Sequence, residues 1–225
     1  KIKRAMLRVF SMKVTKDIPD RWCKAYLSET RKQEAKKRKS DRDRRLFLAA
    51  EVLLNRSLEA VKANIMLPAA YTRNPYGKPY LLPPAELYVN WSHSGDSILC
   101  ALSDREVGID LQEMQKEPRE ALVARTLQPE ELCFYQTLPS EQRKQVFYQY
   151  WTLKESYLKA LGTGFHTSLA SFYIEMDKSH PRIVQRAKGR LYHCRLLPMD
   201  DKYMAALCVE GEEREELDQV RIEAL

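Results

Sequence analysis

Two long helical patterns, one in each half of the sequence, constrain the fold most strongly. Apolar residues recur near the 3.6-residue period of an α-helix across Asp41–Val61 and again across Ser140–Leu161. Each pattern follows a strand-like segment and shorter helical segments, and each precedes short strand-like segments. The sequence therefore predicts an α+β fold of two pseudo-symmetric α/β halves, each a small, mostly antiparallel sheet packed on a long helix. We place the N-terminal half at residues 1–103 and the C-terminal half at residues 104–225.

Short apolar segments between turn residues predict the strands. Gly95-Asp96 separates two of these segments, which indicates a β-hairpin. The predicted strands are Ala5–Val14, Leu87–Trp91, Ser97–Leu102, Val107–Leu111, Leu169–Met176, Ile183–Val184, Leu191–Leu197 and Tyr203–Val209. The shorter predicted helices are Pro19–Ser28, Lys32–Lys39, Pro118–Leu127 and Pro129–Leu138. Ser140 is a candidate N-cap of the second long helix, and we expect the acidic tail after Glu210 to fray or to end in a short helix.

Positive charge is concentrated near the N-terminus. Residues 1–50 contain 17 basic and 6 acidic side chains, whereas the remaining 175 residues contain 21 basic and 25 acidic ones. Such a surplus attracts anions and accelerates their binding. The partner could be a nucleic acid, a phosphorylated small molecule or an acidic protein. For any single residue of the cluster Arg31–Arg45, a solvated helix face is an equally good explanation.

The composition argues against several classes of protein. No apolar run approaches the roughly 18 residues of a membrane span, and the first residues lack the pattern of a secretory signal. The five cysteines are scattered and contain no Cys-x-x-Cys pair, which argues against a structural zinc site. We therefore expect a cytoplasmic protein with reduced thiols and no membrane partner.

A polar cluster ends the first predicted strand of the hairpin. It reads Asn90-Trp91-Ser92-His93-Ser94. Serine and histidine side chains at a turn can donate hydrogen bonds to phosphate, and a protonated histidine adds positive charge. The same side chains can cap backbone groups of the turn, so a binding site and a structural turn both remain open.

An acidic residue interrupts the next predicted strand. Asp110 stands between Ile109 and Leu111, where burial of an unpaired carboxylate is costly. Strand alternation places Asp110 and Gln112 on one face and Glu113 on the other. A carboxylate and an amide oxygen suit Mg²⁺, which prefers oxygen ligands and usually keeps waters. The alternative is a carboxylate that bonds turn amides or an arginine.

The second long helix carries an acid and a base one turn apart. Glu155 and Lys159 have the i,i+4 spacing of a simple ion pair, which stabilises exposed helices by roughly 0.2–0.5 kcal/mol. However, Trp151 lies one turn before Glu155, so the pair borders an apolar stripe. Gly162 and Gly164 follow, and plain C-caps would explain both glycines.

The three motifs together are far more specific than any one of them. In chain order they read Ser92-His93-Ser94, Gly108-Ile109-Asp110 and Trp151-x-x-Lys154-Glu155-x-x-x-Lys159-x-x-Gly162-x-Gly164. Their order and spacing resemble the 4′-phosphopantetheinyl transferase family, in particular the larger single-chain kind that is similar to the surfactin-synthetase activating enzymes. The resemblance spans about residues 30 to 175, and the turn Gly77-Lys78-Pro79 fits it as well.

This resemblance implies a fold, a reaction and substrates. Members of the family have two pseudo-symmetric α/β halves, with coenzyme A bound in the cleft between them. They transfer 4′-phosphopantetheine from coenzyme A to a serine hydroxyl of an apo carrier protein, acyl or peptidyl, with Mg²⁺ as cofactor, and release 3′,5′-ADP. For this chain it implies a nucleotide side in the N-terminal half and a metal site and catalytic helix in the C-terminal half. We expect a monomer that has no nucleic-acid partner.

The resemblance also implies roles for individual residues. The implied metal ligands are Asp110, Glu155 and, through its amide oxygen or a water, Gln112. The implied catalytic residues are Glu155, which accepts the serine proton, and Lys159, which neutralises charge on the pyrophosphate. Arg31 is implied to meet the 3′-phosphate. The full set implied to bind coenzyme A or its metal is Arg31, Arg73, Lys78, Ser92, His93, Asp110, Glu155 and Lys159.

The chain departs from the family pattern at one position. Many relatives have Gly-Ile-Asp-x-Glu, whereas this chain has Gln112 at the last place. The change removes one negative charge from the implied metal site, so we expect activity to persist with weaker metal binding. Glu113 cannot take over this role, because strand alternation turns it to the other face.

Two other functions compete with the transferase. The cluster Arg31–Arg45 could hold RNA, but the chain shows no ribonucleoprotein or helix-turn-helix signature. An RNA-binding module would also leave Asp110, His93 and Glu155 without a role. A homologue that binds coenzyme A but has lost catalysis is the other alternative, and Gln112 keeps it open. The sequence does not identify the carrier protein.

Overall fold

The computed structural model describes residues 6–176, 180–211 and 215–225, and its elements occur in two successive sets of the same order. The first set is β1 (Leu7–Lys13), α1 (Asp20–Tyr26), α2 (Glu29–Ala35), α3 (Asp41–Ala60), β2 (Tyr71–Arg73), β3 (Pro79–Leu81), β4 (Tyr88–Ser94) and β5 (Ser97–Ser103). The second set is β6 (Val107–Glu113), α4 (Glu120–Thr126), α5 (Pro129–Thr137), α6 (Ser140–Leu161), β7 (Phe172–Met176), β8 (Pro181–Gln185), β9 (Tyr192–Leu197) and β10 (Tyr203–Glu210), followed by α7 (Glu215–Gln219) and β11 (Ile222–Ala224). Each set runs from a strand through two short helices to a long helix and further strands. The predicted α+β fold of two pseudo-symmetric halves is confirmed.

Among the described residues, the strands form three sheets. Their orders are β11-β1-β5-β4-β3-β2 in a six-stranded sheet, β6-β10-β9 in a three-stranded sheet and β7-β8 in a two-stranded sheet. The predicted hairpin is β4-β5, with Ser94 opposite Ser97 at the turn. The pairs are antiparallel except for β11, which runs parallel to β1. The C-terminal strand thus joins the sheet of the N-terminal half, and the division between residues 103 and 104 stays a prediction.

The boundaries of α6 follow the sequence pattern, but its N-cap does not. The helix covers the predicted range Ser140–Leu161 and stops at Gly162, which has left-handed backbone with φ at 71°. The prediction of Ser140 as N-cap is wrong, because it is the first helical residue and its hydroxyl contacts the Glu141 carboxylate.

Ala5, where we predicted the first strand to begin, lies outside the described residues. In the described ranges, no helix combines the length and apolar content needed to cross a membrane.

Three apolar clusters hold the layers together. The first packs α3 on the six-stranded sheet, with Leu53 and Leu58 fully buried. The second packs α6 against β7, β9 and β10. The third lies between β1 and β5 on one side and β6 and β10 on the other. Full burial of such an aliphatic side chain is worth about 1.5–3 kcal/mol. The third cluster buries side chains from both halves, so the contact between the halves is part of the core.

Helix α6 lies directly against β6 because Gly108 has no side chain. A Cβ atom at Gly108 would lie 2.1 Å from the Ser156 carbonyl oxygen and 2.3 Å from the backbone nitrogen of Ala160. Real Cβ atoms do not approach other atoms so closely. The glycine therefore lets the strand that carries Asp110 approach the helical turn that carries Lys159.

Strands β4 and β6 lie side by side at the seam between the two sheets. Hydrogen bonds from backbone N–H groups of β6 to side chains of β4 join them there, in place of a backbone-to-backbone ladder. Asn90 Oδ1 accepts a hydrogen bond from the N–H of Ile109 at 3.0 Å. Ser92 Oγ accepts one from the N–H of Leu111 at 3.2 Å. These contacts satisfy backbone donors that would otherwise be buried without a partner. They also fix Ser92 beside Asp110.

Candidate active site

Three predicted site residues from separate elements meet at one point of the seam. Asp110 of β6 is 2% exposed and accepts a hydrogen bond from the hydroxyl of Ser92 in β4 at 3.0 Å. Lys159 Nζ of α6 lies 2.6 Å from Asp110 Oδ1 and 2.9 Å from Ser92 Oγ. The ammonium also donates to the Ile109 carbonyl at 3.1 Å. The structure thus brings Ser92, Asp110 and Lys159 together.

Gln112 shares the Asp110 side of β6, and Glu113 does not. Gln112 Nε2 donates a hydrogen bond to Asp110 Oδ2 at 3.0 Å. Glu113 pairs with Lys202 at 2.5 Å, so the predicted alternation along the strand is confirmed. Gln112 presents its nitrogen to Asp110, and ligation of a metal by its oxygen requires the amide to turn over.

Glu155 lies on α6, near Asp110 of β6. Burial, and then the negative charge of Asp110, raise the pKa of Glu155 to about 7, while Lys159 opposes the shift. Lys159 forms its ion pair with Asp110, across the seam. A largely desolvated carboxylate beside a second carboxylate is suited either to bind a cation or to hold a proton.

The donor set at Asp110 and Glu155 fits a small cation that needs few protein ligands. Two carboxylates and the amide of Gln112 provide oxygen atoms, which Mg²⁺ prefers, and Mg²⁺ usually keeps several waters. A cation near both carboxylates would offset the repulsion that raises the pKa of Glu155. Within the part of the chain that the structure describes, no group of three or more His, Cys, Asp or Glu side chains could hold a metal. A cation that requires such a cage does not fit.

His93 follows Ser92 on β4 and lies in a positive field. Desolvation lowers the pKa of its imidazole, and the positive charge of Lys159 lowers it further. Asp43 opposes this shift, while Arg31 and Arg38 add to it. The ring is therefore neutral at pH 7 and can donate one N–H. The His93 N–H and the nearby positive charges of Lys159, Arg31 and Arg38 suit a bound phosphate.

A cleft of about 180 Å³ opens beside Lys159. Its walls come from the β2–β3 turn, β4 and the end of α6, and include Arg73, Tyr76, Lys78, Trp91, Lys159 and Gly162. The Arg73 guanidinium carbon lies 5.5 Å from the centroid of the Trp91 ring, and Arg73 donates to the Gly77 carbonyl at 2.6 Å. A cleft that combines cations with aromatic rings suits a phosphorylated ligand with a planar base.

Two predicted binding residues use their cationic groups for contacts within the protein. The Lys78 ammonium pairs with Glu106 and donates to the Ala160 carbonyl at 2.6 Å. Arg31 is 3% exposed and donates to the Phe47 carbonyl through Nη2 at 2.6 Å and Nε at 3.0 Å. Direct contacts of Lys78 and Arg31 with a ligand therefore stay predictions.

The first lysine of the α6 motif, Lys154, has a role that our sequence reasoning missed. Lys154 and Glu131 are each 1% exposed and form an ion pair at 2.9 Å. Glu131 also accepts hydrogen bonds from the N–H groups of Gln128 and Ile174, both at 2.6 Å. The available signal was the place of Glu131 in the first turn of α5, where a capping box needs an acidic residue. Lys154 therefore fixes α6 to its neighbours on the side away from Lys159.

A second groove, of about 560 Å³, adjoins Gln112. Three aromatic and three basic side chains contribute to its lining, and these are Phe147, Tyr148, Trp151, Lys116, Arg119 and Arg125. Glu117 is the one acidic residue among the described lining residues. Sequence reasoning did not find this groove, because its residues come from separate segments. Apolar rings bordered by basic residues are complementary to an amphipathic, acidic protein surface.

Comparisons with known proteins agree on one family. A family model described as the 4′-phosphopantetheinyl transferase superfamily matches residues 106–208. A 4′-phosphopantetheinyl transferase of Bacillus subtilis is 31% identical over 134 residues, which are 59% of this chain and 59% of that protein. The 4′-phosphopantetheinyl transferase HetI of Nostoc sp. (strain PCC 7120) is 36% identical over 140 residues, 60% of this chain and 58% of that protein. The chain thus spans about three fifths of the length of these curated relatives.

A solved structure also resembles part of the chain. The holo-[acyl-carrier-protein] synthase of Thermotoga maritima matches with a TM-score of 0.40 and 26% sequence identity. The match covers 48% of this chain and 64% of that chain.

Proposed function

We propose that the chain is a member of the 4′-phosphopantetheinyl transferase superfamily, whose model matches residues 106–208, and that it transfers the 4′-phosphopantetheine arm of coenzyme A to a serine hydroxyl of an apo carrier protein. The observation that carries this proposal is the contact of Ser92, Asp110 and Lys159 across the seam, with Glu155 one turn from Lys159. Those residues come from the three motifs on which the family resemblance rests. The proposed cofactor is Mg²⁺, and the second product is 3′,5′-ADP.

The proposed reaction is a substitution at phosphorus. The serine oxygen forms a bond to the phosphorus that carries pantetheine, and the bond from that phosphorus to the bridging oxygen of the pyrophosphate breaks. The bridging oxygen leaves with 3′,5′-ADP, and the serine proton passes to a base. Such transfers depend on positioning and charge neutralisation more than on covalent catalysis. Lys159 supplies a cation that protein contacts hold in place.

Glu155 is the proposed acceptor of the serine proton, directly or through one water. In the metal-free protein, burial and the charge of Asp110 raise the pKa of Glu155 above that of a free carboxyl group, and a positioned carboxylate can accept a proton directly or through one water. Asp110 is less suited, because the Lys159 ammonium already pairs with it. Asp110 and Glu155 would hold the metal, with Gln112 as a further oxygen ligand. A bound Mg²⁺ supplies positive charge to the pyrophosphate oxygens.

The cations around the cleft are the proposed contacts of the coenzyme A phosphates. Ser92, His93 and Lys159 lie together at the seam and would bind the pyrophosphate. Arg73, packed on Trp91 in the cleft, would face the nucleotide end. The buried charge of Arg31 adds to the field in which the 3′-phosphate would lie.

The groove beside Gln112 is the proposed binding site of the carrier protein. Trp151 in its lining lies one turn before Glu155 on α6, so the groove and the proposed base share one helix. The basic side chains at the groove are complementary to an acidic carrier. In this reaction the protein acts as a monomer in the cytoplasm and needs no nucleic acid.

A transfer assay tests the proposal. The protein is incubated with coenzyme A, MgCl₂ and a panel of apo carrier proteins, and intact-mass spectrometry follows the carriers. We expect at least one carrier to gain the mass of one phosphopantetheine arm. Glu155→Ala is expected to abolish the gain, whereas Glu141→Ala, at an exposed position of the same helix, should leave the rate within about twofold.

Two other outcomes would replace the proposal. Tight coenzyme A binding without transfer to any carrier would identify a homologue that has lost catalysis. Salt-sensitive RNA binding without coenzyme A binding would identify a nucleic-acid module instead.

A further inference from the structure

The turn between β2 and β3 reaches from the N-terminal half to the end of α6. Asn74 Nδ2 donates to the Gly162 carbonyl at 2.7 Å. Asn74 Oδ1 accepts hydrogen bonds from the N–H groups of Tyr76 and Lys78 at 3.0 and 2.9 Å. One amide side chain thus closes the turn and binds a carbonyl at the C-terminus of α6.

Lys78 makes a second contact between this turn and α6. Its side chain is 3% exposed, and its ammonium donates to the Ala160 carbonyl at 2.6 Å while it pairs with Glu106. The hydroxyl of Tyr80 donates to the same Glu106 carboxylate at 3.1 Å. The last carbonyls of a helix lack partners within it, and a cation near them is stabilised by the helix dipole. Lys78 therefore caps α6 from the other half of the molecule.

The helix end and the turn are packed without spare space. Gly162 has left-handed backbone, and a Cβ atom there would lie 2.8 Å from Cδ of Lys78 and 3.2 Å from Nδ2 of Asn74. The glycine that ends the helix thus also lets the turn approach it.

We propose that Lys78 and Asn74 are positioning residues that hold the C-terminal turn of α6, and with it Lys159, in place relative to Asp110. The proposal rests on the proposed transferase function for its kinetic test. The Ala160 carbonyl that Lys78 binds belongs to the residue directly after Lys159, so a shift of this turn also moves the lysine. Lys78 differs here from a phosphate ligand, because both hydrogen bonds of its ammonium go to protein groups.

The same turn forms part of the wall of the nucleotide cleft. Arg73, Tyr76 and Gly77 line the cleft together with Lys159. A nucleotide that contacts this turn therefore contacts the segment that caps α6. Lys78 lines the cleft as well, but its ammonium binds Glu106 and the Ala160 carbonyl. Occupancy of the cleft and the position of Lys159 are therefore linked through the turn, without a bond from the Lys78 ammonium to the nucleotide.

The kinetics of Lys78→Met separate positioning from phosphate binding. Loss of a positioning residue lowers kcat about 10-fold or more, because a small displacement of a catalytic group is costly, and the KM for coenzyme A changes less than about threefold. A phosphate ligand would give the opposite result, with kcat retained and the Kd of 3′,5′-ADP raised at least about 10-fold. That result would overturn the proposal. Lys24→Met, at an exposed position of α1, controls for the loss of one positive charge.

Two further variants separate positioning from a general loss of stability. Lys78→Arg retains a cation within reach of both partners and should recover most of kcat. The double variant Lys78→Met, Glu106→Met leaves no buried carboxylate unpaired, so stability recovers. Its kcat stays low, because the Ala160 carbonyl still lacks its donor. If kcat recovered together with stability in the double variant, Lys78 would act on stability alone and the proposal would be wrong.

Amide hydrogen exchange tests the cap independently of activity. In Lys78→Met, we expect exchange in residues 158–164 to rise at least about 10-fold, because the helix end loses its contact with the turn. Lys24→Met should leave this segment unchanged. A failure of the proposed function would appear as absent transfer by the wild-type protein, with the exchange difference still present. Unchanged exchange in Lys78→Met would contradict the cap itself.

Discussion

At the residue scale, the balance of charge around Asp110 determines how strongly the site attracts a cation. Asp110 and Glu155 bring two carboxylates to a site where Lys159 supplies one ammonium. The excess negative charge favours a cation, and the neutral Gln112 adds nothing to that charge. In the proposed mechanism we therefore expect position 112 to set the strength of metal binding, while α6 supplies the proposed base Glu155 and the cation Lys159.

Replacement of Gln112 by glutamate tests this balance. We expect Gln112→Glu to lower the Mg²⁺ concentration for half-maximal transfer by about 10-fold, because a third carboxylate strengthens an oxygen site for a hard cation. The measurement is a MgCl₂ titration at saturating coenzyme A. Gln142→Glu adds the same charge at an exposed position of α6 and serves as the control. An unchanged Mg²⁺ dependence in Gln112→Glu would rule out contact between position 112 and the metal.

His93 should make ligand binding depend on pH. In the free protein the pKa of His93 lies below its usual value, so the ring is neutral at pH 7. A bound phosphate favours the protonated ring and raises this pKa. By linkage, the contribution of His93 lowers the Kd of 3′,5′-ADP as the pH decreases from about 7.5 towards 6, until the free protein also gains the proton.

Calorimetry of 3′,5′-ADP binding at several pH values measures this effect. His93→Gln keeps a hydrogen-bond donor but cannot titrate, so its Kd should change less over the same range. The titration of the ligand phosphates is common to both proteins and cancels in the comparison. Parallel pH profiles for the wild type and His93→Gln would exclude His93 as a phosphate contact.

The structure brings Ser92, Asp110 and Lys159 together as the sequence predicted, but the sequence did not predict where two of the long side chains point. Strand alternation placed Asp110 and Gln112 on one face, and the motif order placed Lys159 with them. The ammonium of Lys78 and the guanidinium of Arg31 turn instead to carbonyls of the protein. Tertiary contacts decide where such flexible side chains point, and no local pattern encodes them.

At the scale of elements, the contact between α6 and β6 sets the geometry of the site. We expect Gly108→Ala to lower the free energy of unfolding by about 1–3 kcal/mol, because the added Cβ atom meets backbone atoms of Ser156 and Ala160 that cannot rotate away. The transfer rate should fall as well, since the helix that carries Lys159 has to move. Urea unfolding measures the first effect.

Gly189→Ala is the matched control for Gly108→Ala. The new Cβ atom at Gly189 would meet the side-chain oxygen of Gln185, which can move aside. Its unfolding free energy should therefore stay within about 0.5 kcal/mol of the wild type. Equal values for the two variants would mean that α6 retreats from β6 without cost.

Elements with strong local signals were predictable, and elements held only by distant partners were not. The range Ser140–Leu161 followed from its apolar periodicity and the glycine after it. Strand β11 has three residues and pairs with β1, more than 200 residues away. A segment this short carries too little pattern to predict a strand, because its stabilisation comes from the neighbouring strand.

At the scale of the whole molecule, the two halves are joined by core packing. Side chains of β1 and β5 are buried against side chains of β6 and β10. Strand β11 adds a parallel pairing to β1, and Arg8 pairs with Glu223 at 2.5 Å. Lys78 and Glu106 form a further ion pair across the seam. The predicted division at residues 103 and 104 therefore describes the topology. The packing gives no reason for the two halves to unfold separately.

We accordingly expect the two halves to unfold in one cooperative transition. Trp22 and Trp91 lie in the first half and Trp151 in the second, so fluorescence can follow each half separately. A variant with Trp151→Phe reports the first half, and a variant with Trp22→Phe and Trp91→Phe reports the second. Each urea midpoint should coincide with the midpoint from circular dichroism of the same variant, because loss of either half exposes the apolar surface that both share. A first-half signal that changes at lower urea would show that residues 1–103 unfold on their own, and would make the boundary one of stability as well as topology.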